Sequence, residues 1–207
     1  MDDGRIAFRV ESASGSEVVL RALTDAVISS RKTIVIQGMD LDLQSITEEE
    51  INVIRIAVEN DFDYIGMSYV KGLEDIATLR GIILSLGAKE MGIIAKIETP
   101  IGVSKLNEII DAADSVLVAR GDLGMHFPLE DVPFLQEKIV EQCINKGKPV
   151  IVATQLLGSM VENPVPTMSE VIDVVSALSQ GVDVLMLTGE TAIGKYPVEA
   201  VSWLSKK

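Results

Sequence analysis

The sequence predicts an α/β protein built on a parallel sheet, and three observations support this. From residue 63 onward, five compact apolar runs alternate with helix-like segments, and the first residues of the runs lie 24 to 34 residues apart. That spacing accommodates one strand, one helix and two loops per unit. The runs are apolar almost throughout, as is typical of parallel strands covered on their faces. They are DYIGMSYV (63–70), MGIIAKI (91–97), SVLVA (115–119), PVIVAT (149–154) and DVLML (183–187).

The first forty residues follow a different pattern. Short runs rich in β-branched residues are separated by turns that contain Ser and Gly, as expected of antiparallel strands. The predicted strands are RIAFRV (5–10), EVVLRAL (17–23) and KTIVIQG (32–38).

Two capping boxes mark the beginnings of helices. Thr47 with Glu50 precedes the amphipathic run INVIRIAVEN, and Thr167 with Glu170 opens TMSEVIDVVSALSQG. In both, a Thr side chain can accept from the backbone three residues on while the Glu reaches back. Two further helical segments, LEDIATLRGIILSLG and PFLQEKIVEQCINKG, are predicted to end at glycines, which are Gly87 and Gly147.

Charge and composition exclude several classes of protein. The 207 residues include 18 Lys or Arg and 31 Asp or Glu, a formal net charge of −13, which argues against nucleic-acid binding. With 47% hydrophobic and 24% charged residues, the chain resembles an ordinary globular domain. Neither an N-terminal signal pattern nor an apolar run long enough to span a bilayer is apparent, so we expect no membrane partner.

The single cysteine, Cys143, has no partner for an intramolecular disulfide. This fits a reducing compartment, and we expect a cytoplasmic protein. Cys143 falls in a predicted helix with no neighbouring histidine, so we interpret it as a buried structural thiol.

Polar residues cluster at the carboxyl end of each predicted parallel strand. In parallel α/β folds ligands bind at this edge, both at a barrel mouth and in a doubly wound crevice. We therefore expect the site among the strand-end residues, which are Ser68, Lys71, Lys96, Glu98, Arg120, Asp122, Thr154, Gln155, Thr188 and Glu190.

Lys96 and Glu98 are the most informative pair. They are two residues apart in IIAKIETP, so on an extended strand both side chains project to the same face. Charges within an apolar strand are costly unless they are paired or bind a ligand. Two interpretations remain open: an ion pair internal to the sheet, or part of a reactive site.

VARGDLGMHFP (118–128) follows the third of the five runs. Gly121 and Gly124 would allow the backbone to turn and approach a ligand, and N–H groups at such a turn, or at the start of a short helix following it, can hold an anionic oxygen. Asp122 and Glu98 together form a sparse carboxylate pair of the kind that suits Mg²⁺ or Mn²⁺. The alternative is an ordinary turn between strand and helix.

Three other polar residues have open roles. Thr154 could bind substrate or position a water. Glu190 either contacts substrate or anchors the neighbouring loop. His126 is the only histidine, and since no metal-ligand companion accompanies it, we interpret it as non-catalytic.

Five motifs, in this order and at these intervals, resemble the consecutive signatures of the pyruvate kinase family: IIAKIETPIGV, DSVLVARGDLGMHFP, GKPVIVATQLLGSM, NPVPTMSEVIDV and LTGETAIGKYPVEAV. The resemblance implies a partial (β/α)8 barrel of about five β-α units, preceded by an antiparallel β segment from an inserted lid domain. It implies residues 1–30 as the end of the lid and 31–207 as the C-terminal part of the barrel, in a fragment or truncated form.

The resemblance also implies an activity, phosphoryl transfer from phosphoenolpyruvate to ADP to give pyruvate and ATP. Lys96 and Thr154 would be catalytic, with Glu98 and Asp122 as ligands of Mg²⁺ or Mn²⁺. The substrate-binding residues would be Lys96, Gly121, Asp122, Thr154 and Ser68. The family further implies K⁺, with ligands outside this segment, and a homo-oligomeric, tetrameric parent.

Two alternatives stay open at this point. A Mg²⁺-dependent aldolase or lyase of the related phosphoenolpyruvate/pyruvate-binding barrels would also place a Glu and an Asp at consecutive strand ends. A non-catalytic fragment is the other, because a sheet of five strands has open edges.

Overall fold

The fold is described from a computed structural model, in which residues 6–28, 30, 34–36 and 46–205 are described. Two sheets are present among these residues. One is an antiparallel hairpin near the N-terminus and the other is a five-stranded parallel sheet. The strands are β1 Phe8–Ser14, β2 Glu17–Ala22, β3 Tyr64–Met67, β4 Gly92–Ile97, β5 Ser115–Ala119, β6 Val150–Ala153 and β7 Val184–Met186.

Helices follow each parallel strand, and one precedes the first. They are α1 Glu48–Glu59, α2 Leu73–Ser85, α3 Pro100–Ser104, α4 Leu106–Ala112, α5 Arg120–His126, α6 Val132–Asn145, α7 Met168–Ser179, α8 Gly189–Ala192 and α9 Pro197–Ser205. Single turns of 3₁₀ helix occur at Leu129–Asp131 and Gly158–Val161.

The order of the parallel strands identifies the architecture. They lie side by side in chain order, β3-β4-β5-β6-β7, with no reversal. Right-handed β-α-β crossovers in a constant direction place successive helices on one side of a sheet, whereas a doubly wound sheet reverses its order at a switch point. The described sheet is therefore a partial (β/α)8 barrel of five strands.

The two faces of the sheet differ in what covers them. Alternate side chains of the central strands join the helices in one large core, which includes Ile93, Ala95, Ile97, Val116, Val118, Val150 and Val152. The opposite face carries a small cluster of Leu117, Ala119, Ala153, Ile94 and Ile151. On that face the side chains of the edge strands are exposed. The prediction that both faces of the sheet are covered therefore holds only for the central strands.

The helix signals in the sequence are confirmed. Both capping boxes form, at Thr47 with Glu50 and at Thr167 with Glu170. Gly87 and Gly147 follow their helices with φ of 89° and 62°, the left-handed region that lets the chain leave a helix.

The N-terminal region differs in part from the expectation. The first strand runs over Phe8–Ser14, later and longer than predicted, and pairs with Glu17–Ala22 through a bulge between Val10 and Ser12. Residues 34–36 of the third predicted run carry no strand, and 32–33 and 37–38 lie outside the described residues. A hairpin supplies its own hydrogen-bond partner locally, whereas a third strand needs a neighbour from elsewhere.

The segment after β5 decides between the two forms predicted for VARGDLGMHFP. It forms a short helix and no open turn, because α5 begins at Arg120, directly after the last strand residue Ala119. Gly121 and Gly124 lie inside this helix and neither has a left-handed φ. The five predicted parallel strands are present, four of them shorter at their ends than the apolar runs.

No helix within the described part of the chain has the length and apolar character needed to cross a membrane.

Candidate active site

The predicted site residues follow four neighbouring strands of the parallel sheet. Ser68 follows β3, and Lys96 and Glu98 stand at the end of β4. Gly121 and Asp122 lie in the first turn of α5, which follows β5, and Thr154 follows β6. Parallel strands place these ends on one edge, so the chain order brings separate motifs together.

Lys96 is held by partners from two strands. Its Nζ donates to Ser68 Oγ at 2.8 Å and lies 2.8 Å from Oε1 of Glu98. In register, Lys96 aligns with Leu117 of β5, so its stem lies on the sheet face opposite the helices. The ion pair left open by the sequence is therefore present, and it stands at the edge where a ligand would bind.

Glu98 is an almost fully buried carboxylate, with 1% of its surface exposed. Its Oε1 meets Lys96, and its Oε2 accepts from the backbone N–H of Tyr69 at 2.6 Å. Burial raises the pKa of Glu98 above its ordinary value of 4.5, and the bonds from Lys96 and Tyr69 offset only part of that rise.

Tyr69 reaches Glu98 through an unusual backbone conformation. Its φ is 54°, in the left-handed region that non-glycine residues rarely adopt. Such strain persists where the surrounding structure holds it, and it concentrates at functional sites. Here the strained residue directs its amide at the buried carboxylate.

Asp122 lies in the first turn of α5, near enough to Glu98 and Tyr69 to act on both. Its charge adds to the burial that raises the pKa of Glu98. Burial also raises the pKa of the Tyr69 phenol, and the Asp122 and Glu98 carboxylates add to that rise. The carboxylates of Glu98 and Asp122 are therefore close enough for their charges to interact, beside the Lys96 ammonium.

A divalent cation fits this donor set. Mg²⁺ and Mn²⁺ prefer oxygen ligands, and Mg²⁺ commonly uses one or two carboxylates while keeping waters and borrowing substrate oxygens. Across the described residues there is no group of three or more His, Cys, Asp and Glu side chains able to hold a metal. The described residues therefore do not form a metal site made of protein ligands alone.

Thr154 joins the loops after β5 and β6. Its Oγ1 accepts from the backbone N–H of Gly121 at 2.8 Å. Gly121 is in the first turn of α5, where backbone N–H groups have no partner within the helix. Thr154 is therefore the cap of α5, supplied from the next strand.

The backbone at Thr154 and Gln155 is strained as well. Their φ values are 70° and 54°. Arg120, buried at the start of α5, donates from Nε and Nη2 to the carbonyl of Thr154 and from Nη2 to that of Gln155. One guanidinium thus holds two consecutive left-handed residues.

Two glutamates anchor the loop that follows β6. Glu190, 2% exposed, accepts from the backbone N–H groups of Leu157 and Thr188. Of its two open roles, the structure shows the anchoring one. Glu170 accepts from the backbone and hydroxyl of Ser159, in addition to capping α7.

Sequence reasoning did not single out the backbone of Tyr69 or the side chain of Asp173, which pairs with Arg120 at 2.8 Å. Tyr69 carried no signal, because a left-handed φ is not encoded by a particular residue type here. Asp173 had one, since it is the single acid in the otherwise apolar stretch VIDVV (171–175) of a predicted helix.

A comparison with protein families and curated proteins bears on this geometry. A model of the pyruvate kinase barrel domain matches residues 1–201. The chain belongs to the pyruvate kinase family. The match covers both the N-terminal hairpin and the parallel sheet.

Several pyruvate kinases are similar over the whole chain. The one from Aeropyrum pernix is 43% identical over 206 residues, which is 100% of this chain and 45% of that protein. The one from Borreliella burgdorferi is 40% identical, over 99% of this chain and 43% of its own length. The one from Pyrobaculum aerophilum is also 40% identical, over 100% and 45%. The chain thus spans less than half the length of these pyruvate kinases.

Proposed function

We propose that this chain carries the phosphoenolpyruvate- and metal-binding half of a pyruvate kinase site, which transfers the phosphoryl group of phosphoenolpyruvate to ADP in glycolysis. One observation carries the proposal. Lys96 lies 2.8 Å from both Ser68 and the buried Glu98, at the edge where Asp122 also stands.

Lys96 suits the transfer step. Phosphoryl transfer spreads negative charge over the oxygens of the moving group, and catalysis is mainly positioning and charge stabilisation. An ammonium held by Ser68 and Glu98 is fixed before the substrate arrives, so little reorganisation accompanies the reaction. We assign Ser68 to orienting Lys96 and the phosphate, and no covalent nucleophile is needed.

Glu98 and Asp122 would hold the divalent cation, Mg²⁺ or Mn²⁺. When bound, the cation supplies charge neutralisation and polarises the enolate oxygen of the substrate. The protein's part is to keep Glu98 ionised in a buried position, which the Lys96 ammonium and the Tyr69 amide both favour.

Gly121 and Thr154 would bind the carboxylate end of the substrate. The Gly121 N–H donates to the Thr154 hydroxyl at 2.8 Å, and a substrate carboxylate would replace that hydroxyl as its acceptor. After phosphoryl loss, the enolate carbon takes a proton, and we assign its delivery to Thr154 or to water held beside it. The balance is phosphoenolpyruvate, ADP and H⁺ to pyruvate and ATP.

The remaining assignments follow from the family. We assign residues 1–30 to the end of a lid domain and 31–207 to the barrel. The partners would be phosphoenolpyruvate and pyruvate, with ADP and ATP. The full-length parent would be a cytoplasmic homo-tetramer that uses K⁺ through ligands outside this segment. Neither nucleic acid nor membrane is among the partners.

The test measures two properties of the chain as given. Isothermal titration with Mn²⁺ and oxalate, a small dianion shaped like enolpyruvate, reports the binding half. Pyruvate formation from phosphoenolpyruvate, ADP and Mg²⁺ reports turnover. Metal-dependent oxalate binding is expected, and Glu98→Gln should abolish it.

Lys96→Met should reduce turnover roughly a thousandfold or more, because it removes the charge that stabilises the transferred group. Lys105→Met is the matched control, since Lys105 is an exposed lysine paired loosely with Glu108 at 3.6 Å. Oxalate binding without turnover would limit the chain to the binding half. Absence of both in the folded protein would overturn the proposal.

A further inference from the structure

Arg120 is a buried cation whose hydrogen bonds go to the loop after β6 and to the helices α6 and α7. It is 7% exposed. Nε donates to the Thr154 carbonyl at 3.1 Å, and Nη2 donates to the carbonyls of Thr154 at 3.0 Å and Gln155 at 2.8 Å. Nη1 donates to Asp173 at 2.9 Å and to Gln136 at 3.4 Å. Its role is therefore separate from those of Lys96, Glu98 and Asp122.

The carbonyls that Arg120 binds belong to the two strained residues. Thr154 is β-branched, and a φ of 70° is a true outlier for such a side chain. Strained conformations persist only where the surroundings over-determine them. Here three N–H···O=C bonds from the rigid guanidinium of Arg120 hold the two residues in this conformation.

The same strained pair places the hydroxyl of Thr154. A Thr154 in the ordinary β region would rotate its side chain and carbonyl relative to the strand, and Oγ1 would leave the Gly121 N–H that it now meets at 2.8 Å. We propose that Arg120, anchored on α7 by Asp173, is a positioning residue that holds Thr154 and Gln155 left-handed so that the Thr154 hydroxyl faces the substrate edge.

The anchor comes from the helix side of the sheet. Gln136 of α6 accepts from Arg120 and donates to Gln180, just after α7, at 2.7 Å. Thus α6 and α7 are both connected by hydrogen bonds, through Arg120, to the loop after β6. A small change in α7 would be transmitted to Thr154 without any contact between them.

A cavity of about 320 Å³ adjoins this network and is lined by Arg120, Gln136, Gln155, Asp173 and Gln180 with four other residues. Arg120→Lys and Asp173→Ala each introduce a smaller side chain beside this cavity, so neither overpacks the interior. Variants of the network are therefore expected to fold, and their effects can be attributed to lost bonds.

The inference rests on the proposed function for its kinetic readout, so the experiment includes a readout that does not. Hydrogen exchange of the Gly121 amide reports whether Thr154 Oγ1 still accepts from it. We expect Arg120→Lys to accelerate this exchange at least tenfold, because the bonds of Arg120 leave from three separate nitrogens, whereas all the donors of lysine lie on one nitrogen and cannot reproduce that geometry. Asp173→Ala should accelerate it too, and Asp173→Asn, which keeps an acceptor, should restore much of the protection.

Arg80→Lys is the matched control. Arg80 also pairs with an aspartate, Asp114, and also donates to a carbonyl, that of Met91 at 3.1 Å, but at the opposite end of β4. Its replacement should leave the exchange of Gly121 within about twofold of the parent chain, the factor expected for a distant, independent site.

If the parent turns over, Arg120→Lys should lower kcat at least tenfold with a smaller change in the KM for phosphoenolpyruvate. Adding Gln155→Gly should recover part of the loss, because glycine adopts φ of 54° without strain. A parent chain that neither binds oxalate with metal nor turns over would count against the proposed function, and the exchange of Gly121 would still decide this inference. Unchanged protection in Arg120→Lys, or equal acceleration in Arg80→Lys, would overturn it.

Discussion

The hydroxyl of Thr154 accepts a hydrogen bond from the backbone amide of Gly121 at 2.8 Å, and so joins the loops that follow β5 and β6. The donor lies in the first turn of a helix, where an amide has no partner within the helix, and the acceptor belongs to a residue with a strained φ of 70°. Two motifs more than thirty residues apart in the sequence thus form one feature of the site.

Replacing Thr154 measures how much this hydrogen bond contributes to the free energy of unfolding. Thr154→Val keeps the β-branched shape and its strain but leaves the Gly121 amide without an acceptor, which should lower the free energy of unfolding by about 1–3 kcal/mol. Thr154→Ser keeps the hydroxyl and should change it by less than about 1 kcal/mol. Urea denaturation measures both, and equal losses in the two variants would contradict the role of the hydroxyl.

Tyr69 allows the cost of the left-handed backbone to be measured beside the buried carboxylate. Asn tolerates a positive φ, whereas Val does not, and both remove the ring. Tyr69→Val should therefore be less stable than Tyr69→Asn by about 1–2 kcal/mol. Chemical denaturation of the two variants in parallel measures the difference.

The same pair should differ in Mn²⁺ affinity. In Tyr69→Asn the backbone amide can still donate to Glu98 Oε2, the bond that measures 2.6 Å in the parent. In Tyr69→Val, relief of strain would turn that amide away. If the two variants are equal in stability by denaturation and in Mn²⁺ affinity by titration, the left-handed φ at position 69 is not critical for either property.

Glu50 and Glu170 occupy the same position in two capping boxes but have different partners. Glu50 uses Oε2 alone, toward Thr47. Glu170 uses both oxygens, because it also accepts from Ser159. A glutamine has one acceptor oxygen, so Glu50→Gln should cost less than about 0.5 kcal/mol and Glu170→Gln about 1–3 kcal/mol, measured by denaturation at pH 7.

The pH dependence of this stabilisation has a definite sign. Burial by itself would raise the pKa of Glu170, but hydrogen bonds from Ser159 and Thr167 outweigh it and lower the pKa below 4.5. The stabilisation is then present above pH 4.5 and is lost as pH falls through the folded-state value. The difference between parent and Glu170→Gln should accordingly shrink at pH 3, and a difference that grows on acidification would contradict this.

Cys143 should be inert to thiol reagents in the folded protein. It is fully buried, and burial, reinforced by Asp183 and opposed by Lys146, raises the pKa of its thiol to about 12. Thiolate is the reactive form, so labelling at pH 8 should proceed only through opening of the structure. A labelling rate that rises with urea in parallel with unfolding is expected, and rapid labelling without denaturant would refute it.

Much of the fold could be predicted because local signals suffice for it. The five parallel strands, the two capping boxes and the two helix-ending glycines depend on periodicity and on bonds within a few residues. The prediction of a strand at residues 34–36 was wrong. A run of β-branched residues favours extended backbone, but a strand also requires a neighbouring strand as its hydrogen-bond partner. The helix beginning at Arg120 was one of two forms predicted for its segment, because glycines there are compatible with a turn as well as with a short helix.

The sequence by itself determined which residue types stand at each strand end, and hence that Lys96, Glu98, Asp122 and Thr154 would share one edge. Only the tertiary structure decided how they are held there. The left-handed backbone of Tyr69 and Thr154, and the clamp by Arg120, depend on long-range bonds that no local pattern encodes. Strain of this kind is stabilised by distant partners, so its place becomes known only when the partners meet.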